Sequence, residues 1–270
     1  MKYAFVTGSC GGLADITIQE LLRCGYTVFA GDKLNQTDTI NGNRHDIPLD
    51  VTDQTNIEQC VQYCKQFTDK LDIVINFAGI VRLGSLIENA DKLTQILNIN
   101  VVGMYLVNKA LFELVRNAKG RYINISSEYG KLDAVPFHTY YTLAKHGVEV
   151  YNDGLRRELQ FFNIPVIAIR PGAFATAMQG SIVNQFDTLL LTTNYYVTPL
   201  LKMKKMMENE LKRAKHPEIF LKTMRKALFS KHPKIYYNVG NSLKMKLLSV
   251  LPAKLQDKIF KLYFLKNKNK

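Results

Sequence analysis

The 270-residue chain contains no apolar run approaching the roughly 18 residues needed to cross a bilayer, which argues against an integral membrane protein. Its four cysteines, Cys10, Cys24, Cys60 and Cys64, form neither a CxxC pair nor a disulfide framework, so a reducing, cytoplasmic setting is the simplest expectation. Cys60 and Cys64 share a helical face without a histidine pair nearby; they are read as core, and no metal site is expected. Cys10 is read as a small filler. The apolar start, Tyr3-Ala4-Phe5-Val6, is too short for a signal peptide. There is no internal repeat or low-complexity linker, and no domain boundary shows before about residue 175. What is present, 47% hydrophobic and 22% charged residues, can bury a sizeable core and excludes wholesale disorder.

Negative charge is scarce in one place only. Residues 201–270 hold 19 Lys and Arg against 4 Asp and Glu, a balance of +15, whereas residues 1–200 carry −2. A slightly acidic body with a basic tail suggests an appendage with its own anionic partner rather than a nucleic-acid-binding body. The tail carries no recognisable nucleic-acid motif, and no nucleic-acid partner is expected.

Over the first 170 residues strand and helix signals alternate. Short apolar runs at 3–6, 26–30, 45–49, 71–75, 121–125 and 165–169 are separated by helical patterns at 13–23, 55–67, 90–115 and 140–162. Thr55 is a candidate N-cap for the second helix, and Pro48 marks the third run as short or edge-like. Such alternation implies an α/β fold, a doubly wound parallel sheet of Rossmann type, with its ligand crevice at the strands' carboxyl ends. One catalytic domain is expected over 1–200, with a substrate lid from about 174. Residues 201–270 form a basic helical C-terminal extension packed on it, with a further strand candidate at 235–239.

Thr7-Gly8-Ser9-Cys10-Gly11-Gly12-Leu13-Ala14 joins the first strand to the first helix. Glycines there let the backbone approach a pyrophosphate, and the helix N-terminus presents free N–H groups to it. Asp32 ends the second strand about 20 residues further on, where a carboxylate can accept from both adenosine ribose hydroxyls and would repel a 2′-phosphate. The reading is NAD, with NADP disfavoured, although Lys33 stands beside the acid. A helix cap or turn is the competing role for Asp32.

These residues, taken with those that follow, resemble the short-chain dehydrogenase/reductase family in its classical form. Thr7-Gly8-x-x-x-Gly12-x-Ala14 is similar to its cofactor motif, with alanine for the last glycine. Asp50-Val51 resembles the adenine-contacting pair, and Asn76-Phe77-Ala78-Gly79 the Asn-Asn-Ala-Gly turn, with Phe77 departing. Asn100-Val101-Val102-Gly103, Ser126-Ser127, Tyr141-Thr142-Leu143-Ala144-Lys145 and Arg170-Pro171-Gly172 with Thr176 follow in the family's order. The resemblance implies a catalytic set of Asn100, Ser127, Tyr141 and Lys145. It also implies cofactor contacts at Gly8, Ser9, Gly12, Leu13, Asp32, Asp50, Val51, Asn76, Ala78, Gly79, Tyr141, Lys145, Pro171, Gly172 and Thr176.

Tyr141 and Lys145 lie four apart on a helix and leave one face. A lysine ammonium favours the phenolate of a tyrosine that is otherwise a poor base at neutral pH. By resemblance, Tyr141 exchanges a proton with the substrate oxygen, Ser127 hydrogen-bonds that oxygen, and Lys145 also holds the nicotinamide ribose. Asn100 is expected to hold a water, while Thr176 and Pro171-Gly172 fix the carboxamide. Ser127 precedes Tyr141 by 14 residues where 13 is usual in the family, so Ser126 stays open as an alternative, and Glu128 is a candidate to reshape the site. Tyr140 faces another way. His138 and His146 are read as structural.

The segment after residue 174, with Phe174, Ala175, Ala177, Met178, Ile182, Val183, Phe186, Leu189, Leu190, Leu191, Tyr195 and Tyr196, offers an apolar lid without an arginine cluster, and Met203, Met206 and Met207 add adaptable surface. A lipophilic substrate such as a steroid, bile acid or retinoid is expected; core or dimer interface is the competing role. Pro233 to Gly240 with Leu251-Pro252 resembles, more loosely, the retinol and hydroxysteroid dehydrogenase branch. Together these imply an NAD-dependent oxidoreductase interconverting a secondary alcohol and a ketone, acting as a homodimer or homotetramer. Reduction of small polar carbonyls such as 3-oxoacyl compounds, and an idle NAD(H) sensor, are the alternatives. Residues 255–264 are amphipathic and basic, suited either to the periphery of an anionic membrane or to solvent.

Overall fold

The computed structural model describes residues 1–88, 92–176 and 178–265. Its elements in chain order are β1 (Lys2–Thr7), α1 (Gly12–Arg23), β2 (Tyr26–Asp32), β3 (Thr39–Asn41), β4 (Arg44–Pro48), α2 (Gln54–Lys65), β5 (Ile73–Asn76), α3 (Lys92–Leu97), α4 (Gly103–Ala110), α5 (Phe112–Ala118), β6 (Arg121–Ile125), α6 (Thr139–Leu159), β7 (Val166–Pro171), α7 (Met178–Thr192), α8 (Val197–Leu211), α9 (Pro217–Phe229), β8 (Tyr236–Val239), α10 (Leu243–Ser249) and α11 (Ala253–Leu265). A π-turn over Asn98–Val102 joins α3 to α4.

The strands form one sheet in the order β3-β4-β2-β1-β5-β6-β7-β8, all parallel except the β3–β4 pair. Successive residues of a strand point to opposite faces, so each strand feeds two cores. Val6, Val28, Ala30, Ile73 and Ile75 pack with Ile18 and Leu21 of α1 and Phe220 and Met224 of α9. Phe5, Phe29 and Val74 point the other way, onto Ile57 and Val61 of α2 and Val107 and Leu111 around α4. Phe5 and Phe29 are fully buried, and each contributes roughly 2–3 kcal/mol of transfer free energy on that face.

Several local expectations are corrected. Asp53, not Thr55, caps α2, its carboxylate accepting from Asn56 N at 3.1 Å. The helix expected over 90–115 is broken by the π-turn and again at Leu111, and its first two positions lie outside the described residues. The antiparallel strand β3 carries no hydrophobic alternation, being exposed throughout, and so left no periodic signal. Residues 201–265 do more than cover the domain: α9 supplies core side chains and β8 pairs with β7. No described helix is long and apolar enough to cross a membrane.

From β1 the chain winds outward through β2 and β4, then returns to β5 on the other side of β1 and proceeds to β8. The order therefore reverses between β1 and β5, and a crevice opens there at the carboxyl ends of the strands. The glycine loop leaves β1 at that point and residues 77–81 leave β5.

Candidate active site

Gly8 is a point of close approach in the crevice. It has φ +68, and a Cβ on it would lie 2.6 Å from Ala78 N, so the β1 and β5 exits can touch only through glycine. Thr7 secures the contact, its Oγ1 accepting from Ala78 N at 3.1 Å. Gly11 N closes the turn on Gly8 O at 3.0 Å, and Gly12 opens α1 beside the Thr176 side chain. Asp32 reaches across to this loop: one carboxylate oxygen accepts from Cys10 N at 2.9 Å and the other from Leu34 N at 2.9 Å. Asp32 thus fills the turn role weighed for it, buttressing the loop, and it also lines the crevice. Lys33 turns away to Asp50 at 2.5 Å. Burial opposes ionisation of Asp50, but Lys33 and Thr52 outweigh it and hold that carboxyl at about 2. Cys10 is exposed rather than a filler, with its thiol 3.6 Å from Asn35 Oδ1.

Ser127, Tyr141 and Lys145 converge beyond the end of β6. Ser127 and Tyr141 line the same stretch of the cleft, and the Ser127 hydroxyl accepts from Tyr129 N at 3.2 Å. Ser126 lines the cleft as well, with its Oγ buried, unpartnered and close to Gly130. Burial pushes the Tyr141 phenol up to about 12 against the pull of Ser127, with Glu128 adding to the rise. Lys145 donates to Ile125 O at 2.9 Å and stands 5.6 Å from the Tyr141 ring centroid; burial lowers it to about 8 despite Glu149 nearby. Tyr140 faces away, donating to Ser85 O at 2.7 Å.

Beneath these groups Glu149 and Arg170 form a buried two-pronged ion pair at 2.9 and 2.6 Å. The Arg170 guanidinium also stacks 3.9 Å from the Tyr236 ring centroid, which ties β8 to the floor of the site.

A cleft of about 1040 Å³ unites the parts. Gly8, Gly12, Leu13, Asp32, Asp50, Val51, Ala78, Gly79, Ser127, Tyr141, Lys145, Pro171, Gly172 and Thr176 all line it. Ser9, Asn76 and Asn100 do not. Ser9 is buried with an unpartnered Oγ, and Asn76 donates to Asn108 and Asn124 at 2.7 and 2.9 Å in a buried amide network. Asn100, inside the π-turn, clamps both backbone groups of Ile80, at 2.8 and 2.9 Å.

Phe174, Met178 and Ile182 of the expected lid line the cleft with Met206 and Met207, and the far wall extends beyond them to Leu247 of α10, Leu251 between the helices and Phe260 of α11. Phe186 and Leu189 are instead buried against Val81, Leu83, Phe137 and Met203; Leu191 and Tyr195 are exposed, and Ala177 lies outside the described residues. Glu128, half of the reshaping foreseen at Ser127, is buried and accepts from Ser242 N at 2.7 Å, so the turn after Ser127 is tied to the start of α10. His138, read as structural, is 2% exposed, its ring tilted against Tyr129 at 4.2 Å and edge-on to Tyr141 at 5.2 Å, and burial lowers it to about 4, so it is neutral. His146 does play a structural part, its Nε2 lying 3.0 Å from Leu132 O. Among the described residues no cluster of metal-ligating side chains occurs.

Comparison with known proteins adds three findings. The family model described as short chain dehydrogenase matches residues 2–186. Retinol dehydrogenase 16 of Rattus norvegicus is 30% identical over 96% of this chain and 87% of its own, and human 17-beta-hydroxysteroid dehydrogenase type 6 is 28% identical over the same shares. Among solved structures, a short chain dehydrogenase from Burkholderia cenocepacia in complex with NADP superposes with a TM-score of 0.71 at 18% identity, covering 99% of this chain and 100% of that one.

Proposed function

The chain belongs to the short-chain dehydrogenase family and is an oxidoreductase; from that premise we propose that it is an NAD-dependent enzyme interconverting a secondary alcohol and a ketone on a hydrophobic substrate. The observation that carries the proposal is the continuity of one cleft, from the glycine loop past Ser127, Tyr141 and Lys145 to the apolar wall. Its volume exceeds what a single small ligand fills, leaving room for a dinucleotide and a second molecule end to end. The relatives named for retinol and a hydroxysteroid favour a lipophilic alcohol as that second molecule.

The residues present fit a dinucleotide. Gly8 leaves no Cβ in the way, the N-terminus of α1 faces the loop, and Asp32 sets a carboxylate where an adenosine ribose would lie. Lys33, next in sequence, and Arg44, on the neighbouring strand β4, are engaged elsewhere, Lys33 with Asp50 and Arg44 with Asp46 and Asp15. A 2′-phosphate would meet the Asp32 charge without a free counter-charge, which supports NAD over NADP. Asp50, Val51, Ala78 and Gly79 would hold the adenosine half, and Pro171, Gly172 and Thr176 the nicotinamide half.

The bound cofactor supplies or accepts the hydride. Tyr141, neutral at physiological pH, donates its proton to the ketone oxygen in reduction and must be a phenolate to take it back in oxidation. Ser127 hydrogen-bonds the same oxygen as charge grows on it. Lys145 stabilises the phenolate by its ammonium charge and would hold the nicotinamide ribose. Asn100 holds the Ile80 turn with its side chain, so a water on the proton path would bond to main-chain groups there.

The test is NADH absorbance while purified protein meets NAD or NADP with hydroxysteroids, bile acids, retinol and 3-hydroxyacyl compounds. Turnover of a lipophilic alcohol with NAD, rising with pH in the oxidative direction and lost in Tyr141→Phe, is the expected result. Turnover only of polar 3-hydroxyacyl compounds, or undiminished turnover in the variant, overturns the reading.

A further inference from the structure

The helix α11 presents three stripes at helical spacing. Gln256, Phe260 and Phe264 form the inward stripe, with Phe264 packed among Leu200, Met203 and Met207. One residue before Gln256 and Phe260, and two before Phe264, come Leu255, Ile259 and Leu262, all exposed, at 43%, 37% and 53%. Earlier again come Lys254, Lys258 and Lys261, also exposed. A helix that faced only water would carry polar residues on the middle stripe. The neighbouring α10 repeats the pattern: Leu243, Leu247 and its capping Val250 are 70%, 59% and 70% exposed beside exposed Lys244 and Lys246.

The exposed stripes run into the cavity. Leu247, Val250, Ile259 and Tyr263 line the cleft and face outward at once, so its mouth is rimmed by apolar side chains and lysines. We propose that this rim, α10 and α11 together, docks on an anionic lipid surface from which the hydrophobic substrate enters. The substrate half of that statement rests on the function proposed above; the docking half does not. Residues 241–265 hold five lysines and one acid, Asp257. A second copy seated on the same patch would set these lysines against their own kind, because a two-fold contact is self-complementary. An anionic bilayer satisfies both features, apolar residues entering the acyl boundary while lysine stems lie along the helix and their ammonium groups reach the headgroups.

The experiment is flotation of the full chain with vesicles of phosphatidylcholine alone and of phosphatidylcholine containing phosphatidylserine, at low and high salt. Two variants accompany it, Lys254→Glu/Lys258→Glu/Lys261→Glu and Leu255→Ser/Leu262→Ser, none of whose positions lines the cleft. NADH binding, measured by fluorescence, reports that each is folded. The protein is expected to float with the phosphatidylserine vesicles only and to be released by salt. Each lysine lost near such a surface weakens binding about fivefold, so the triple variant falls by 100-fold or more. Loss of the two leucines weakens binding by about tenfold or more. Absence of flotation in protein that binds NADH overturns the proposal. So does flotation undiminished in both variants, or a salt-resistant dimer that Leu255→Ser/Leu262→Ser abolishes. Failure of every lipophilic alcohol to turn over would instead refute the function while leaving the vesicle result standing.

Discussion

Replacing Glu149 by Gln tests the floor of the site. Glu149 and Arg170 are 3% and 7% exposed, and their two hydrogen bonds are the short, charge-assisted kind. Removing one partner of such a pair costs about 3–5 kcal/mol, because the remaining charge stays buried without compensation. Glutamine retains one acceptor for the guanidinium, which sets the expected loss at the low end, about 3 kcal/mol. With an unfolding entropy of about 2.1 cal/mol/K per residue, a chain this size loses roughly 5 °C of Tm. The chain has no tryptophan, so unfolding in urea and heat is followed by circular dichroism. Activity carries a second signature. Glu149 supports the charge of Lys145, so its loss should move the alkaline limb belonging to that lysine to lower pH. Replacing both partners, Glu149→Leu with Arg170→Met, keeps an apolar contact for Tyr236 and leaves no orphan charge, and should cost less than either single change. A loss below about 1 kcal/mol in Glu149→Gln, or a double variant that loses the sum of the singles, would refute the reasoning.

Gly8→Ala forces a Cβ against Ala78 N at a positive φ, and NADH should bind at least about tenfold more weakly in a fluorescence titration; unchanged affinity would show that the β1 and β5 exits part freely. Asp32→Ser removes the carboxylate and should raise the ratio of NADP to NAD affinity by about tenfold or more, read in the same assay, while a fixed ratio would place specificity elsewhere. Glu20 is held at about 2 by Arg225 and then Arg23, below its unfolded value, so its contribution is complete above about pH 4.5 and lost as pH falls from there toward 2. Urea midpoints measured across that window should therefore decline less steeply in Arg225→Ala than in the parent chain.

The motifs were legible because each is local. A glycine loop, a strand-end acid and a tyrosine four residues from a lysine are set by neighbours in sequence, and the strands around them announce themselves by unbroken apolar runs. What escaped is tertiary. Asn76 sits in the segment that resembles a cofactor turn, yet its amide is spent on Asn108 and Asn124, residues 32 and 48 positions away. The π-turn at Asn98–Val102 keeps helical periodicity on either side, so nothing in composition marks the one-residue widening that aims Asn100 at Ile80. His138 reads as a polar loop residue until two tyrosine rings enclose it. The basic tail was visible as charge, but not its division of labour, in which α9 and β8 complete the core while α10 and α11 line the apolar end of the cleft.

The spacing of Ser127 and Tyr141 shows how one such contact follows from another. The loop between them turns at Phe137, a bulky residue at φ 64, a conformation that persists only where the surroundings enforce it. Here they do. Phe137 is 8% exposed, its ring lies 5.3 Å from that of Tyr196, and its carbonyl accepts from Gly84 N at 2.9 Å. That left-handed step sends the next residue, His138, inward beneath Tyr141, where the helix begins. At the loop's other end Glu128 reaches Ser242, so the serine turn is held by the C-terminal wall and the tyrosine helix by the lid cluster. The serine turn and the tyrosine helix are therefore each held from the apolar end of the cleft. It follows that changes made in the segment after residue 174 or in α10 would act on Ser127 and Tyr141 as well.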